Sequence, residues 1–131
     1  MGGKRPAGFN KGFYYEPTVF DNVEDNFTIM KEEPFGPLVP MLSFKNFDEV
    51  IERSNNNDLG LCSYICTNSM EKANKASELM ETGVVAVNTP VVAIAEAPFG
   101  GIKQTGYGRE GGSNAIKDYL NVKYTHLGIK G

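Results

Sequence analysis

Three short apolar runs, separated by stretches with helical spacing, follow one another through the middle of this chain. Each run is of strand length and predicts a strand. The three lie at residues 38–44, 61–67 and 84–88. Strands that alternate with helices pair in parallel, because each helix returns the chain to the same edge of the sheet. The pattern therefore predicts an α/β fold in which a parallel sheet is flanked by helices.

Two helices are predicted between these strands. Asn46 and Glu49 have the spacing of a capping box, so the first helix is expected to begin there. The second helix is expected over residues 70–82, with Gly83 at the position that ends it. Its apolar stripe is expected to consist of Ala73, Ala76, Leu79 and Met80.

The flanking segments carry weaker patterns. Residues 13–20 predict a further strand, and Pro17 places that strand at an edge of a sheet. Residues 27–32 predict a short helix. Towards the other end, Ser113 is expected to cap a last helix, and residues 122–127 predict a final strand.

A rigid corner is predicted at residues 32–37, which read Glu-Glu-Pro-Phe-Gly-Pro. Pro34 and Pro37 fix their own φ, and each disfavours helical backbone in the residue before it. We expect the corner to hold one carboxylate close to the ring of Phe35. A carboxylate can accept hydrogen bonds from two sugar hydroxyls, and a ring can pack flat against a planar heterocycle. The same residues also fit a plain turn with a solvated acid pair and a core phenylalanine.

Charge and cysteine content argue against several classes of function. The 131 residues have a net charge of −3 and no basic run, so neither a nucleic acid nor a membrane surface is an expected partner. No apolar run reaches the length of a membrane span, and the first residues do not resemble a signal peptide. The spacing of Cys62 and Cys66 fits neither a zinc site nor a disulfide framework. One domain without a metal, in a reducing cytoplasm, is expected.

A glycine pattern near the end of the chain matches the dinucleotide-binding fingerprint only superficially. Gly106, Gly108 and Gly111 have the required spacing. The fingerprint works where it follows a strand and opens the first helix of a βαβ unit. Here loop-like residues precede it and no such unit follows, so a packed or flexible loop is expected instead.

The remaining reactive side chains do not form a catalytic set. His126 is the only histidine and has no Cys, Ser or Asp partner in reach by sequence, so a surface or edge histidine is expected rather than a base. Cys62 and Cys66 are expected on one strand face with Tyr64, as packing residues without a lowered thiol pKa. The acids expected on a solvated helix face are Glu71, Glu78 and Glu81.

Two sequence blocks together resemble the aldehyde dehydrogenase family. The first is the corner, preceded at residues 12–19 by Gly-Phe-Tyr-Tyr-Glu-Pro-Thr-Val. The second reads Ala-Pro-Phe-Gly-Gly-Ile-Lys at residues 97–103, followed by Gly-Tyr-Gly-Arg-Glu at residues 106–110. Both blocks occur in the order found in that family, over nearly the whole chain, and two blocks are far more specific than one.

The resemblance implies roles for particular residues. The acid of the corner motif bonds the ribose hydroxyls of the nicotinamide half of NAD or NADP, which maps to Glu33. The motif's phenylalanine, Phe35 here, packs beside that ribose. Phe99 in the second block corresponds to a residue that borders the substrate tunnel. Residues 91–97 resemble the loop that shapes substrate choice, and residues 120–129 resemble a strand that pairs with a neighbouring subunit.

The resemblance also implies a reaction whose central residues are not matched here. In that family a cysteine attacks the aldehyde, hydride passes to NAD or NADP, and a glutamate activates the water that releases the acid. Both residues lie upstream of the corner motif in the family. We therefore expect a C-terminal part of such an enzyme, inactive alone and without a catalytic residue of its own. Residues 1–119 would belong to the catalytic domain, and residues 120–131 would form the oligomerisation strand and tail.

The sequence leaves alternatives open for both the substrate and the function of this chain. The sequence is most similar to the succinate-semialdehyde dehydrogenase branch, but residues 93–96, Ala-Ile-Ala-Glu, lack the serine that often holds a carboxylate there. The chain could instead be a non-catalytic module that associates with itself or with other subunits through its terminal strand. A third hypothesis is a nucleotide binder that uses the glycine loop. Apolar surface left uncovered in so short a chain predicts oligomerisation or low solubility.

Overall fold

The structure, a computed structural model, describes residues 2–131 and divides into two compact units. The first unit ends at Asp58, and the second extends from Leu59 to Gly131. The first unit contains β1 (Thr18–Phe20), α1 (Thr28–Lys31), β2 (Leu38–Pro40) and α2 (Phe47–Asn55). The second contains β3 (Cys62–Ile65), α3 (Met70–Leu79), β4 (Val84–Val87) and 3-10 helices at Lys103–Thr105 and Ala115–Tyr119.

In the first unit, β1 and β2 pair in parallel, from Thr18 opposite Leu38 to Phe20 opposite Pro40. Both strands are shorter than the apolar runs that predicted them. Pro17 directly precedes β1 and Pro40 ends β2, and neither residue has an N–H to donate to a ladder. The sheet comprises three residue pairs, and just beyond the last of them the Met41 N–H still donates to the Phe20 carbonyl at 2.9 Å.

The helix α2 begins where the capping box predicts. The Asn46 side-chain oxygen accepts a hydrogen bond from the Glu49 N–H at 2.9 Å. The Glu49 carboxylate accepts from the Lys45 N–H at 2.8 Å, one residue before the usual partner in such a box. In the last turn, Arg53 binds the Asp25 carboxylate through two bonds of 2.9 and 3.0 Å. The hydrogen bonding to Arg53 lowers the pKa of the Asp25 carboxyl below its ordinary 3.8.

In the second unit, β3, α3 and β4 form the strand–helix–strand unit that the alternating pattern predicts. The two strands pair in parallel, from Cys62 opposite Val84 to Ile65 opposite Val87. Parallel strands with helices are therefore confirmed as the fold class. The buried apolar residues of this unit are all small: Ala73, Ala76 and Ala86.

The end of α3 differs from the prediction. The helix stops at Leu79, and its C-cap residue, Met80, is extended with φ −71° and ψ 123°. Gly83 therefore does not end the helix. Instead, a β-carbon on Gly83 would overlap the carbonyl group of Gly100, so the glycine permits a close approach of two main chains.

The last predicted helix is also corrected. It is a 3-10 helix, and Asn114, not Ser113, occupies the N-cap position, without a side-chain cap bond. Gly111 and Gly112 have positive φ values of 68° and 60°. These two left-handed residues turn the chain immediately before Ser113, which displaces the helix start by one residue.

The segment 120–129 is extended in part and exposed throughout, and no strand is assigned to it within residues 2–131. A strand requires a partner for its main-chain groups. The pairing of residues 120–129 with a neighbouring subunit stays a prediction, as does the domain boundary after residue 119.

Over residues 2–131, every helix is too short or too polar to cross a bilayer. In the same part of the chain, His, Cys, Asp and Glu residues form no group of three that could hold a metal ion.

Candidate functional site: an exposed corner and a glycine-lined cavity

The corner at residues 32–37 consists of two successive tight turns. The Gly36 N–H donates to the Pro34 carbonyl at 2.9 Å, and the Leu38 N–H donates to the Gly36 carbonyl at 2.8 Å. Each bond closes a three-residue turn. The Pro37 carbonyl accepts from the Thr18 N–H at 2.8 Å, which ties the corner to β1. The stiff, non-helical backbone predicted from the proline and glycine residues is therefore present.

Both predicted cofactor-binding residues are exposed on this corner. Phe35 is 96% exposed, which excludes the alternative of a core phenylalanine. Glu33 is exposed as well, and its carboxylate has no hydrogen-bond partner among residues 2–131. Both side chains are accessible to a bound molecule. The expected proximity of carboxylate and ring stays a prediction.

Phe99, the predicted substrate-pocket residue, lies in the second unit and lines a cavity of about 440 Å³. The cavity has an apolar part and a polar part. The apolar lining includes Leu61, Phe99 and Tyr119. The polar lining includes Thr105, Arg109 and Asp118. A cavity of this size and mixed lining is typical of a small-molecule site.

The cavity wall is held by contacts within the glycine-rich block. Phe99 and Glu110 exchange two main-chain hydrogen bonds of 2.7 Å each. The Arg109 guanidinium donates to the carbonyls of Gly101 and Gly108, at 2.8 and 2.6 Å. The block is therefore a packed loop, in agreement with the interpretation that the dinucleotide pattern here is accidental.

The contact between Arg109 of the glycine-rich block and Asp118 of the last 3-10 helix is not predicted by any sequence pattern. Besides its guanidinium bonds, Arg109 donates its main-chain N–H to the Asp118 carboxylate at 2.8 Å. A β-carbon on Gly108 would lie 3.0 Å from that carboxylate. Only the glycine-rich composition around Arg109 hinted that main chains approach closely here.

The glycine-rich block is anchored at the start of β3. The Gly60 N–H donates to the Thr105 hydroxyl at 2.8 Å, and the Gly60 carbonyl accepts from the Ile102 N–H at 2.9 Å. Lys103 forms an ion pair of 2.7 Å with Glu81. Glu81 was expected on a solvated helix face. Glu81 is exposed, as predicted, but it lies beyond the end of α3 and pairs with the loop, so its placement on the helix was wrong.

The segment that leads from β4 to Phe99 starts at Asn88. The Asn88 side chain accepts from the Thr67 N–H at 2.9 Å and donates to the Thr67 carbonyl at 2.8 Å. Sequence reasoning missed this residue. The signal that could have found it is an asparagine between a predicted strand and Thr89-Pro90, a position typical of a turn.

His126 is exposed, as expected, but the prediction for Cys66 was wrong: it lies beyond β3, which ends at Ile65, and is exposed rather than packed. Burial raises the pKa of the Cys62 thiol, and a hydrogen bond with Tyr64 offsets part of that rise. Cys66 is exposed and, like Cys62, is a free thiol. The His126 ring lies 3.2 Å from the Tyr124 hydroxyl on an exposed segment. Glu71 forms an exposed ion pair with Lys75 at 2.9 Å.

This chain matches a protein-family model as well as individual proteins. The model of the family described as "Aldehyde dehydrogenase family" matches residues 1–125. Retinal dehydrogenase 2 of Gallus gallus is 49% identical over 119 residues, which cover 91% of this chain and 23% of that protein. The mitochondrial succinate-semialdehyde dehydrogenase of Arabidopsis thaliana is 43% identical over 129 residues, covering 98% of this chain and 24% of the relative.

A solved structure agrees with these sequence matches. The NAD+ complex of an aldehyde dehydrogenase from Bacillus cereus superposes with a TM-score of 0.91 at 42% identity. The superposition covers 99% of this chain and 26% of that one. The chain thus spans about a quarter of the length of the proteins it resembles.

Proposed function

This chain belongs to the aldehyde dehydrogenase family, and we propose that it supplies part of the cofactor and substrate sites of a protein that oxidises aldehydes with NAD or NADP. The observation that carries this proposal is the exposed corner, where the family motif presents an acid and a ring on rigid backbone. We place the protein in the cytoplasm, where the two free thiols of Cys62 and Cys66 would stay reduced.

Glu33 is the proposed contact of the ribose in the nicotinamide half of the cofactor. A carboxylate has two oxygens and can accept one hydrogen bond from each of two neighbouring hydroxyls. Hydrogen bonds to a charged acceptor are stronger than neutral ones. Among residues 2–131 the Glu33 carboxylate has no hydrogen-bond partner, so binding a ribose would break no hydrogen bond within that part of the chain.

Phe35 is the proposed packing partner of the same ribose. Its ring is almost fully exposed, so a bound sugar would remove apolar area from water. The two turns at Pro34 and Gly36 hold the main chain on both sides of the ring. A ring on stiff backbone loses little further conformational entropy when a ligand binds.

Phe99 and its cavity are the proposed wall of the substrate site. The ring and Leu61 provide apolar surface for the carbon chain of an aldehyde. The two main-chain bonds between Phe99 and Glu110 fix the position from which the ring extends. Arg109 supports the same wall from the other arm of the loop.

The chain's own residues bind and orient rather than react. NAD or NADP held by Glu33 and Phe35 would supply the hydride acceptor for the oxidation. The thiol pKa of Cys62 is raised, which is the opposite of what an attacking thiolate requires. We therefore propose that the nucleophile and the base are supplied by residues outside these 131, and that the chain alone does not turn over aldehydes.

Direct cofactor binding tests the role of Glu33. Saturation-transfer NMR with NAD measures the affinity of the 131-residue chain and of Glu33→Gln. The substitution removes a charged acceptor, so we expect the affinity to fall about tenfold. Glu32→Gln, which neutralises the neighbouring exposed acid, is the matched control and should leave the affinity within about twofold.

Equal weakening by both substitutions would refute a specific role for Glu33. The inactivity of the chain is tested separately, by following NAD reduction with acetaldehyde. Turnover that disappears in Cys62→Ala or Cys66→Ala would show that the chain has a nucleophile of its own. That result would contradict the proposed division of labour but not the cofactor contact.

A second candidate function is association without catalysis. Alternate residues of the terminal segment carry exposed apolar side chains, among them Leu120, Val122 and Tyr124. An unpaired segment of this kind can add to the edge of another sheet. A second copy of this chain, or an intact subunit of the same family, is the proposed partner.

A further inference from the structure

Asn88 makes three hydrogen bonds to the end of β3. Its main-chain N–H donates to the Ile65 carbonyl at 2.8 Å. Its side-chain amide accepts from the Thr67 N–H at 2.9 Å and donates to the Thr67 carbonyl at 2.8 Å. The side chain thus continues the pairing of β3 and β4 beyond the last residue of β4, where the main chain itself turns away.

The backbone of Asn88 is left-handed, with φ 54°. Few residues other than glycine and asparagine adopt this conformation readily. The next residues continue the turn in a defined way. Thr89 precedes Pro90, which disfavours helical backbone at Thr89, and the Thr89 hydroxyl accepts from the Val91 N–H at 3.1 Å. Residues 88–91 therefore determine the direction in which the main chain leaves β4.

The other end of the same segment is also held. The Ala95 carbonyl accepts from the Gly112 N–H at 2.8 Å, and the Ala97 N–H donates to the Ile94 carbonyl at 3.3 Å. A β-carbon on Gly111 would lie 2.6 Å from the Ala97 carbonyl oxygen, so this contact is close. Residues 92–93, which lie between these two sets of contacts, are held less firmly than the ends of the segment.

We infer that Asn88 is a positioning residue for residues 89–97, the segment that leads to Phe99. Its amide clamps the segment to the main chain of Thr67, and its left-handed backbone aims the segment out of the sheet. If residues 89–97 border the substrate, their positioning by Asn88 affects which aldehyde is accepted, and that part of the inference rests on the proposed function. The clamp itself does not, because it involves only residues of this chain.

Three substitutions separate the two properties of Asn88. Asp keeps the left-handed tendency and the acceptor for the Thr67 N–H but loses the donor. Gly keeps only the backbone freedom. Ala keeps neither. The exposed Asn68, next to Thr67 in sequence, is the matched control, changed to the same three residues.

Amide hydrogen exchange and backbone relaxation by NMR on the full chain read out the clamp. We expect the Thr67 amide to exchange about tenfold faster in Asn88→Gly and Asn88→Ala. It should exchange more slowly in Asn88→Asp than in those two, because the acceptor for the Thr67 N–H remains although a carboxylate oxygen then faces the Thr67 carbonyl. Relaxation should show residues 89–97 most mobile in the Ala variant. The amides of Val84–Val87 and all Asn68 variants should remain as in the unmodified chain.

Two outcomes would overturn the inference. Residues 89–97 could keep their chemical shifts and relaxation in Asn88→Ala. Alternatively, all amides of the second unit could lose protection together, which indicates a general contribution to stability rather than positioning. Asn88→Asp keeps the test decisive if the Ala variant does not fold, because it removes one bond and leaves the other.

A benzaldehyde titration of the same samples separates this inference from the proposed function. Benzaldehyde should shift the amide signals of Phe99 and residues 91–97 in the unmodified chain, and the pattern should change in Asn88→Gly. Absence of any shift in the unmodified chain, together with the expected Thr67 exchange, would refute the substrate role and leave the clamp established.

Discussion

At Gly83 the absence of a β-carbon allows the main chain of Gly100 to approach. The Gly83 N–H also donates to the Gly60 carbonyl at 3.0 Å, and the Gly60 carbonyl accepts from the Ile102 N–H as well. Three segments that are distant in sequence, around residues 60, 83 and 100–102, therefore meet at this position. The sequence pattern predicted Gly83 at the end of α3, because glycine often follows the last residue of a helix.

Replacing Gly83 by Ala should destabilise the second unit by about 1–3 kcal/mol, since an added methyl group would overlap backbone rather than a flexible side chain. Urea unfolding followed by far-UV circular dichroism measures the effect. Gly128→Ala is the control, because its β-carbon would meet nothing within 4 Å. Equal stabilities of the two variants would contradict the close approach.

Caps show how local chemistry defines the helices. Both α2 and α3 begin at a side chain that accepts from the N–H three residues on: Asn46 to Glu49 at 2.9 Å and Ser69 to Lys72 at 3.3 Å. Each cap satisfies one of the main-chain donors that a helix start leaves without a partner. The shorter bond of Asn46 implies the stronger cap.

Asn46→Ala should lower the free energy of unfolding of the first unit by about 1 kcal/mol, because the Glu49 N–H loses its acceptor. Asn46→Asp preserves an acceptor and should be close to the unmodified chain. Ser69→Ala should cost less than Asn46→Ala. Thermal unfolding monitored by circular dichroism compares the three variants. A larger loss for Asn46→Asp than for Asn46→Ala would rule out capping as the cause.

Over the whole molecule, little apolar surface is buried. Among residues 2–131, the buried apolar side chains are those of Val23, Ala73, Ala76 and Ala86, and no large side chain is fully buried. Many large apolar side chains are exposed instead, including those of Phe13, Phe35 and Val122. Exposed apolar area of this extent marks contact surfaces or a tendency to associate. We therefore expect the 131-residue chain to self-associate.

Association through the terminal segment makes a sharper prediction. Val122→Asp places a charge on the apolar face of residues 120–124 and should shift the chain towards monomer in size-exclusion chromatography with light scattering. Thr125→Asp adds the same charge on the other face and should change the distribution less. The hypothesis of an interaction module would be refuted if the unmodified chain were monomeric and did not bind an intact member of the family.

The sequence by itself determined what depends on near neighbours along the chain. The type and order of the elements from β1 to β4, the Asn46 cap and the stiff backbone around Phe35 follow from residues a few positions apart. The family match rests on two such local blocks. These features could be predicted because prolines, caps and apolar spacing act within one or two turns.

Only the tertiary structure decided what depends on residues far apart in sequence. The lengths of β1 and β2, the ion pair of Glu81 with Lys103 and the clamp of Asn88 on Thr67 each join distant segments. The cavity beside Phe99 likewise forms where Leu61 meets the glycine-rich block. Apolar spacing carries no information about such pairings, because closeness in space is set by how the main chains pack and not by residue type alone.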